Sequence, residues 1–120
     1  MEFSQQDNNR NSVISFENNT VQLSHQQLKI PCFISKNFAT EIEFGHIDDI
    51  NKQTLFPLIA HDDIDLLIIG TGQLPKFLTG QQQVTIQQMN IGSESMNSDS
   101  ACRSFNLLLS DARNAGLLLL

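Results

Sequence analysis

The chain has no tryptophan and no tyrosine, so its aromatic content rests on eight phenylalanines. Phe carries no polar handle, which makes these rings core filler in the simplest reading. Cations are also scarce: seven Lys and Arg stand against thirteen Asp and Glu, for a formal charge of −6. The seven (Arg10, Lys29, Lys36, Lys52, Lys76, Arg103 and Arg113) are scattered along the chain. No basic stripe exists to neutralise phosphates, so no nucleic-acid partner is expected. An anionic membrane surface would repel such a chain. The two cysteines, Cys32 and Cys102, are far apart and indicate no disulfide framework. No apolar run approaches the length of a transmembrane helix, so no integral membrane segment is expected. Residues 1–12 lack both the apolar stretch of a signal peptide and the Arg-rich, acid-poor character of a transit peptide. These absences point to a cytoplasmic location.

At 120 residues, with 40% hydrophobic and 17% charged residues, the chain has the size and composition of one globular domain with a real core. The Gln/Asn/Ser-rich residues 1–12 read as a frayed segment, and 13–120 as a single domain. Val13–Phe16 and Thr20–Leu23 flank the polar turn Glu17-Asn18-Asn19 and predict an N-terminal β-hairpin. Leu28–Ser35 reads as another strand, with Pro31 marking its start or a bulge. Glu41-Ile42-Glu43-Phe44 alternates as a half-exposed strand does. Asp48 and Asp49 can cap a helix beginning near Ile50, which Pro57 would shorten or break.

Ile64–Gly70 is apolar on both faces, as a central strand covered on both sides would be. Residues 72–80 are irregular, and Gln81–Asn90 and Ser93–Met96 read as a helix and a short strand. A last helix is expected from Asp99 nearly to the end, burying Ala101, Phe105, Leu108, Ala112, Ala115 and Leu119. Leu117–Leu120 would then be a helix end or an apolar tail. The alternation in the second half implies an α/β protein with a parallel pair inside a mixed sheet.

Two motifs carry the functional content. Gly70-Thr71-Gly72-Gln73-Leu74-Pro75 ends the apolar strand and begins like a dinucleotide fingerprint. Pro75 replaces the third glycine, no helix opens directly, and no acidic residue follows at the required spacing. The segment therefore reads as a tight turn, and no cofactor is expected. In the second motif, Asn97-Ser98-Asp99 precedes a helix whose first amides need partners, and Ser98 or Asp99 can cap them. A polar pocket between this helix start and the Thr71 loop is the functional counterpart, because helix N-termini attract anions. Cys102 has two readings: a first-turn thiol activated beside Arg103, or a small buried hydrophobe on the Ala101–Phe105 face. Arg103 and Asn106 lie one turn apart and can act on one face, where a guanidinium could clamp a carboxylate or hold a carbonyl. His61, Asp62, Asp63 and Asp65 are near-consecutive, so they read as a solvated acidic loop and not a metal site. His25 and His46 are isolated and support no catalytic triad.

At these residues the chain resembles a small family long labelled a domain of unknown function. That family includes the mitochondrial NADH dehydrogenase (complex I) alpha-subcomplex assembly factor 3 and the adipogenesis-associated domain protein of animals. Its pattern is an apolar strand ending Gly-Thr-Gly, a later Met-Asp-Thr, and Ala-Cys-Arg-Thr-Tyr-Asn entering a helix with a downstream Arg. Gly70-Thr71-Gly72, Met96-Asn97-Ser98, Ala101–Asn106 and Arg113 match those places, with departures at Asn97, Ser104 and Phe105. Asn97 brings no carboxylate and Phe105 no hydroxyl. The resemblance implies a three-layer α/β fold, a mixed central β-sheet with flanking helices, and no established catalytic activity. It implies a non-enzymatic, assembly-factor-like module with a protein partner. Its surface would include Gly70, Thr71, Gly72, Gln73, Asn97, Ser98, Cys102, Arg103 and Asn106. A small-ligand binder or an enzyme using the same pocket is the alternative. A homodimer through an edge strand at Glu41–Phe44 is a third arrangement.

Overall fold

Asn18 and Asn19 adopt φ values of 53° and 60°, the backbone that a two-residue hairpin turn requires. They join strands β1 (Ser15–Glu17) and β2 (Thr20–Gln22), which pair antiparallel in the register Phe16↔Val21. The computed structural model describes residues 1–3 and 9–120. A third strand, β3 (Gln27–Lys29), completes a small sheet of order β1-β2-β3. Residues 1–12 were expected to fray. Of these, Phe3 donates its N–H to the Ile14 carbonyl at 2.8 Å, and Asn11 and Ser12 are buried. Residues 4–8 of that segment lie outside the described residues.

The strand expected over Leu28–Ser35 is two strands in different sheets. A cis Ile30–Pro31 bond separates β3 from β4 (Cys32–Ile34). Proline cannot continue a ladder, so the chain changes sheet there. Strand β5 (Ala39–Glu41) ends where the alternating Glu41–Phe44 pattern begins. Glu41 is engaged within its own chain, accepting the Lys29 N–H at 2.8 Å, and residues 42–44 belong to no strand.

A 3-10 turn (Ile47–Asp49) precedes α1 (Lys52–Ile59), so neither Asp48 nor Asp49 caps the helix. Asn51 does, with Thr54 completing a reciprocal capping box. Helix α1 is short, and Pro57 lies within it, two residues before its end. Strand β6 (Leu66–Gly70), helix α2 (Gly80–Gln88) and strand β7 (Gly92–Met96) follow as the periodicity predicts. Asn90, at φ 63°, turns the chain out of α2.

The largest correction concerns the C-terminus. The last helix, α3 (Ser98–Ser110), stops nine residues before Leu119, where the sequence periodicity ends. Ala112 sits at φ 59°, and residues Ala115–Leu119 form strand β8. Strand β8, and not β6, is the centre of the five-stranded sheet, whose order is β5-β4-β8-β6-β7. It runs parallel to β6 and antiparallel to β4. Gly116 marks a close approach within this strand. A side chain there would meet Ile64 and the Phe33 ring at 2.7 and 2.8 Å, so the backbone itself packs against them. All five residues of β8 are buried, as a strand covered on both faces must be.

The side chains of the large sheet alternate between two cores. Cys32, Ile34, Ile68, Leu117 and Leu119 meet α3 and the small sheet on one face. Phe33, Leu67, Ile69 and Leu118 meet the residues of α1 and α2 on the other. The molecule is thus a three-layer α/β fold. A loop outside these motifs also has structure: Asp62 accepts bonds from the Ser35 hydroxyl and from the Asn37 N–H and amide at 2.5–2.9 Å, and His61 stacks on Phe38. Burial raises the Asp62 pKa, but the bonds from Ser35 and Asn37 outweigh it and leave the carboxyl below its usual range. The expected solvated acidic loop is, at this residue, a staple on the β4–β5 turn.

Candidate functional site

Strands β6 and β7 run parallel, so Gly70 and Met96 end them side by side. Loops leaving the carboxyl ends of parallel strands are the usual place for a site in an α/β sheet. Here the two loops are tied together. A side chain at Gly70 would meet Leu119 at 2.7 Å, the Ala101 Cβ at 2.9 Å and the Ser98 Cα at 3.1 Å. The missing Cβ lets the start of α3 lie directly on β6. Gly72 then takes φ +84°, with open space around it. Its N–H donates to Ser98 Oγ at 2.7 Å, and its carbonyl accepts the Ser98 N–H at 2.8 Å.

Each remaining motif residue has a definite place. The Thr71 hydroxyl accepts the Lys76 N–H at 2.8 Å and donates to the Leu74 carbonyl at 3.0 Å, so it shapes the loop from within. Asn97, and neither Ser98 nor Asp99, caps α3, accepting the Ser100 N–H at 2.8 Å. Asn106 is turned to the N-terminal segment: its side chain accepts the Val13 N–H at 2.8 Å and donates to the Val13 carbonyl at 2.9 Å. Cys102 is fully buried in the core shared with Cys32. Burial, then the neighbouring Cys32 and Asp99, push its thiol up to about 12, and Arg103 offsets only part of this. The thiolate that an activated nucleophile needs is therefore absent at neutral pH. Arg103 is exposed, and among the described residues its guanidinium donates only to Met1 Sδ and Ser100 Oγ, both at 3.3 Å. Among the described residues it has no carboxylate partner.

These loops form one wall of a cleft of about 710 Å³. Gly72 and Gln73 contribute from the loop, and Asn97, Ser98, Asp99 and Arg103 from the helix start. Gly70, Thr71, Cys102 and Asn106 do not line it. The opposite wall comes from residues the motifs did not suggest: Met1, Ile30 and the hairpin turn Phe16–Asn19. The tandem Asn18-Asn19 announces a turn, but nothing local says that the turn folds over α3. In this wall the Met1 ammonium lies 2.9 Å from Glu17 Oε1. Both partners are about half exposed, so this pair contributes little to stability.

An open mixed sheet with a cleft at the carboxyl ends of its parallel strands defines the class as a three-layer α/β domain. Comparison then gives the family. The model of the family described as Protein of unknown function (DUF498/DUF598) matches residues 13–120, and the chain belongs to that family. Three solved structures share the fold. A Bordetella parapertussis protein is 19% identical, with a TM-score of 0.81 over 94% of this chain and 97% of its own. An outer membrane protein from Bartonella henselae is 22% identical, with a TM-score of 0.78 over 92% and 93%. A Bordetella pertussis protein described as a Mth938-like domain is 16% identical, with a TM-score of 0.77 over 100% and 92%. No curated protein matches the chain. No helix among the described residues is long and apolar enough to cross a membrane.

Proposed function

We propose that residues 13–120 form a non-enzymatic, cytoplasmic interaction module, assembly-factor-like in its work, that binds a protein partner through the cleft beside α3. The observation that carries this reading is Arg103. Its guanidinium stands exposed in a cleft of about 710 Å³ without a carboxylate of its own chain, among the described residues. Arginine's planar donor fork is over-used at interfaces and is frequent among their energetic anchors. The burial of Cys102 speaks against the form of the enzymatic alternative that would use its thiol. The resemblance to a family containing a complex I assembly factor supports a protein client. A small ligand in the same cleft is the second reading, favoured by the cleft's concavity alone.

The test compares tagged parent and Arg103→Ala protein in capture from native cell extract, read by mass spectrometry. The expected result is an unchanged melting temperature and the loss of a partner. An Arg103→Ala protein that keeps every partner of the parent removes the cleft from consideration. If neither protein holds a specific partner, a metabolite screen takes up the small-ligand reading.

A further inference from the structure

We infer that the outer edge of β1 receives an extended segment of a partner polypeptide, and that Met1–Phe3 is its stand-in in the free chain. The inference rests on reading the adjacent cleft as the interaction surface. The order β1-β2-β3 leaves β1 without a neighbouring named strand on its outer side. Ser15 and Glu17 face Gln22 and Thr20 of β2, so the main-chain groups of Phe16 between them point outward. That outward edge already carries extended backbone. Phe16 donates to the Met1 carbonyl and Phe3 donates to the Ile14 carbonyl, each at 2.8 Å, with Glu2 opposite Ser15 in antiparallel sense.

The occupant is thinly held. Among the described residues it makes one isolated bridge, with the Met1 ammonium also on the Phe16 carbonyl and on Glu17 at 2.9 Å; Met1 and Glu2 are exposed, and Phe3 packs against the core. So short a pairing has little to set against the entropy of ordering the segment. Unpaired edge groups are a template for another chain. A partner strand in the same register would reuse the same main-chain bonds. It would also deliver its side chains to the cleft, because Met1 and Phe16 belong to both. Main-chain pairing supplies affinity in such recognition, and side-chain pockets supply specificity.

The cleft's chemistry suits polypeptide. With the Met1 ammonium and Glu17 paired, it presents one charge of each sign, Asp99 and Arg103. Among the described residues the side-chain amides of Asn18, Asn19 and Gln73 make no hydrogen bond, which leaves them to meet another backbone. A polyanion would meet Asp99.

The test selects phage-displayed random peptides against the full chain, then titrates the selected peptides into parent, Phe3→Ser and Glu2→Gly proteins. Phe3→Ser loosens the seated segment, and Glu2→Gly does so without touching the core. A site covered between half and nine-tenths of the time shows its affinity reduced about two- to tenfold, so peptides should bind Phe3→Ser tighter than the parent by about that factor. Glu2→Gly should move the affinity in the same direction, and the amides of Phe16, Gly72 and Asn97 should shift in NMR spectra. Failure to select any peptide, equal affinity for all three proteins, or shifts elsewhere would each overturn the inference. So would a Phe3→Ser dimer in sedimentation, because a second copy would then be the occupant. Peptide failure alongside a partner lost in Arg103→Ala sinks the edge assignment and leaves the cleft reading standing.

Discussion

Gly70 and Gly72 sit two residues apart and are glycine for different reasons. At Gly70 the space for a Cβ is filled by Leu119, Ala101 and Ser98; at Gly72 the space is open but φ is +84°. Gly70→Ala overpacks the junction of β6 and α3 and should cost about 1–3 kcal/mol. Gly72→Ala should cost a similar amount, of order 1–3 kcal/mol, through backbone strain alone. Asn tolerates the left-handed region, so Gly72→Asn should recover much of the loss and Gly70→Asn none of it. Urea unfolding midpoints decide the matter. Cys102 makes a prediction in pH. Its thiol rises from an ordinary 9.0 to about 12 in the folded chain, chiefly through burial. The folded state therefore holds its proton more tightly, so this contribution is complete below about pH 9 and is lost as pH rises toward 12. Relative to Cys102→Ala, the parent should lose stability across that window. At pH 8 its native thiol should resist iodoacetamide until urea is added, and rapid native alkylation would contradict this burial.

At the scale of elements, the start of α3 was largely legible and its end was not. Residues 97–99 announced a cap, and Ala101–Phe105 announced the buried face. The expected caps, Ser98 and Asp99, are good acceptors at an N-terminus, but Asn97 is as good and holds the place. The backbone decides: Asn97 is extended, at φ −67° and ψ 161°, while Ser98 is already helical and is held by Gly72. Asn97→Ala should cost about 1 kcal/mol. Asn97→Asp, the residue of the family pattern, should keep the cap and add up to about 1 kcal/mol by placing an anion at the helix start. Thermal unfolding of the two variants in parallel checks both signs. A destabilised Asn97→Asp would show that Asp99 beside it outweighs the helix field.

At the scale of the whole molecule, the centre of the large sheet is the last strand of the chain. Leu118 faces one core while Leu117 and Leu119 face the other, so the C-terminal leucines join both layers. Leu118→Ala should cost about 2–5 kcal/mol, as buried Leu deletions do. An exposed leucine such as Leu107 replaced the same way should cost almost nothing by the same measurement in urea. What depends on near neighbours can be read along the chain. Its apolar runs between polar turns placed the hairpin and strands β6 and β7, and its motifs placed the junction of the Gly70 loop with α3. That Ala115–Leu119 is a strand follows from its packing between β4 and β6, since leucine serves a helix and a two-faced strand equally well. Gly116 needs its neighbours, Ile64 and Phe33, before its meaning can be read. The same holds for the cleft. One wall follows from adjacent motifs, but the other arrives from the N-terminal hairpin, through packing on α3 that no local pattern encodes.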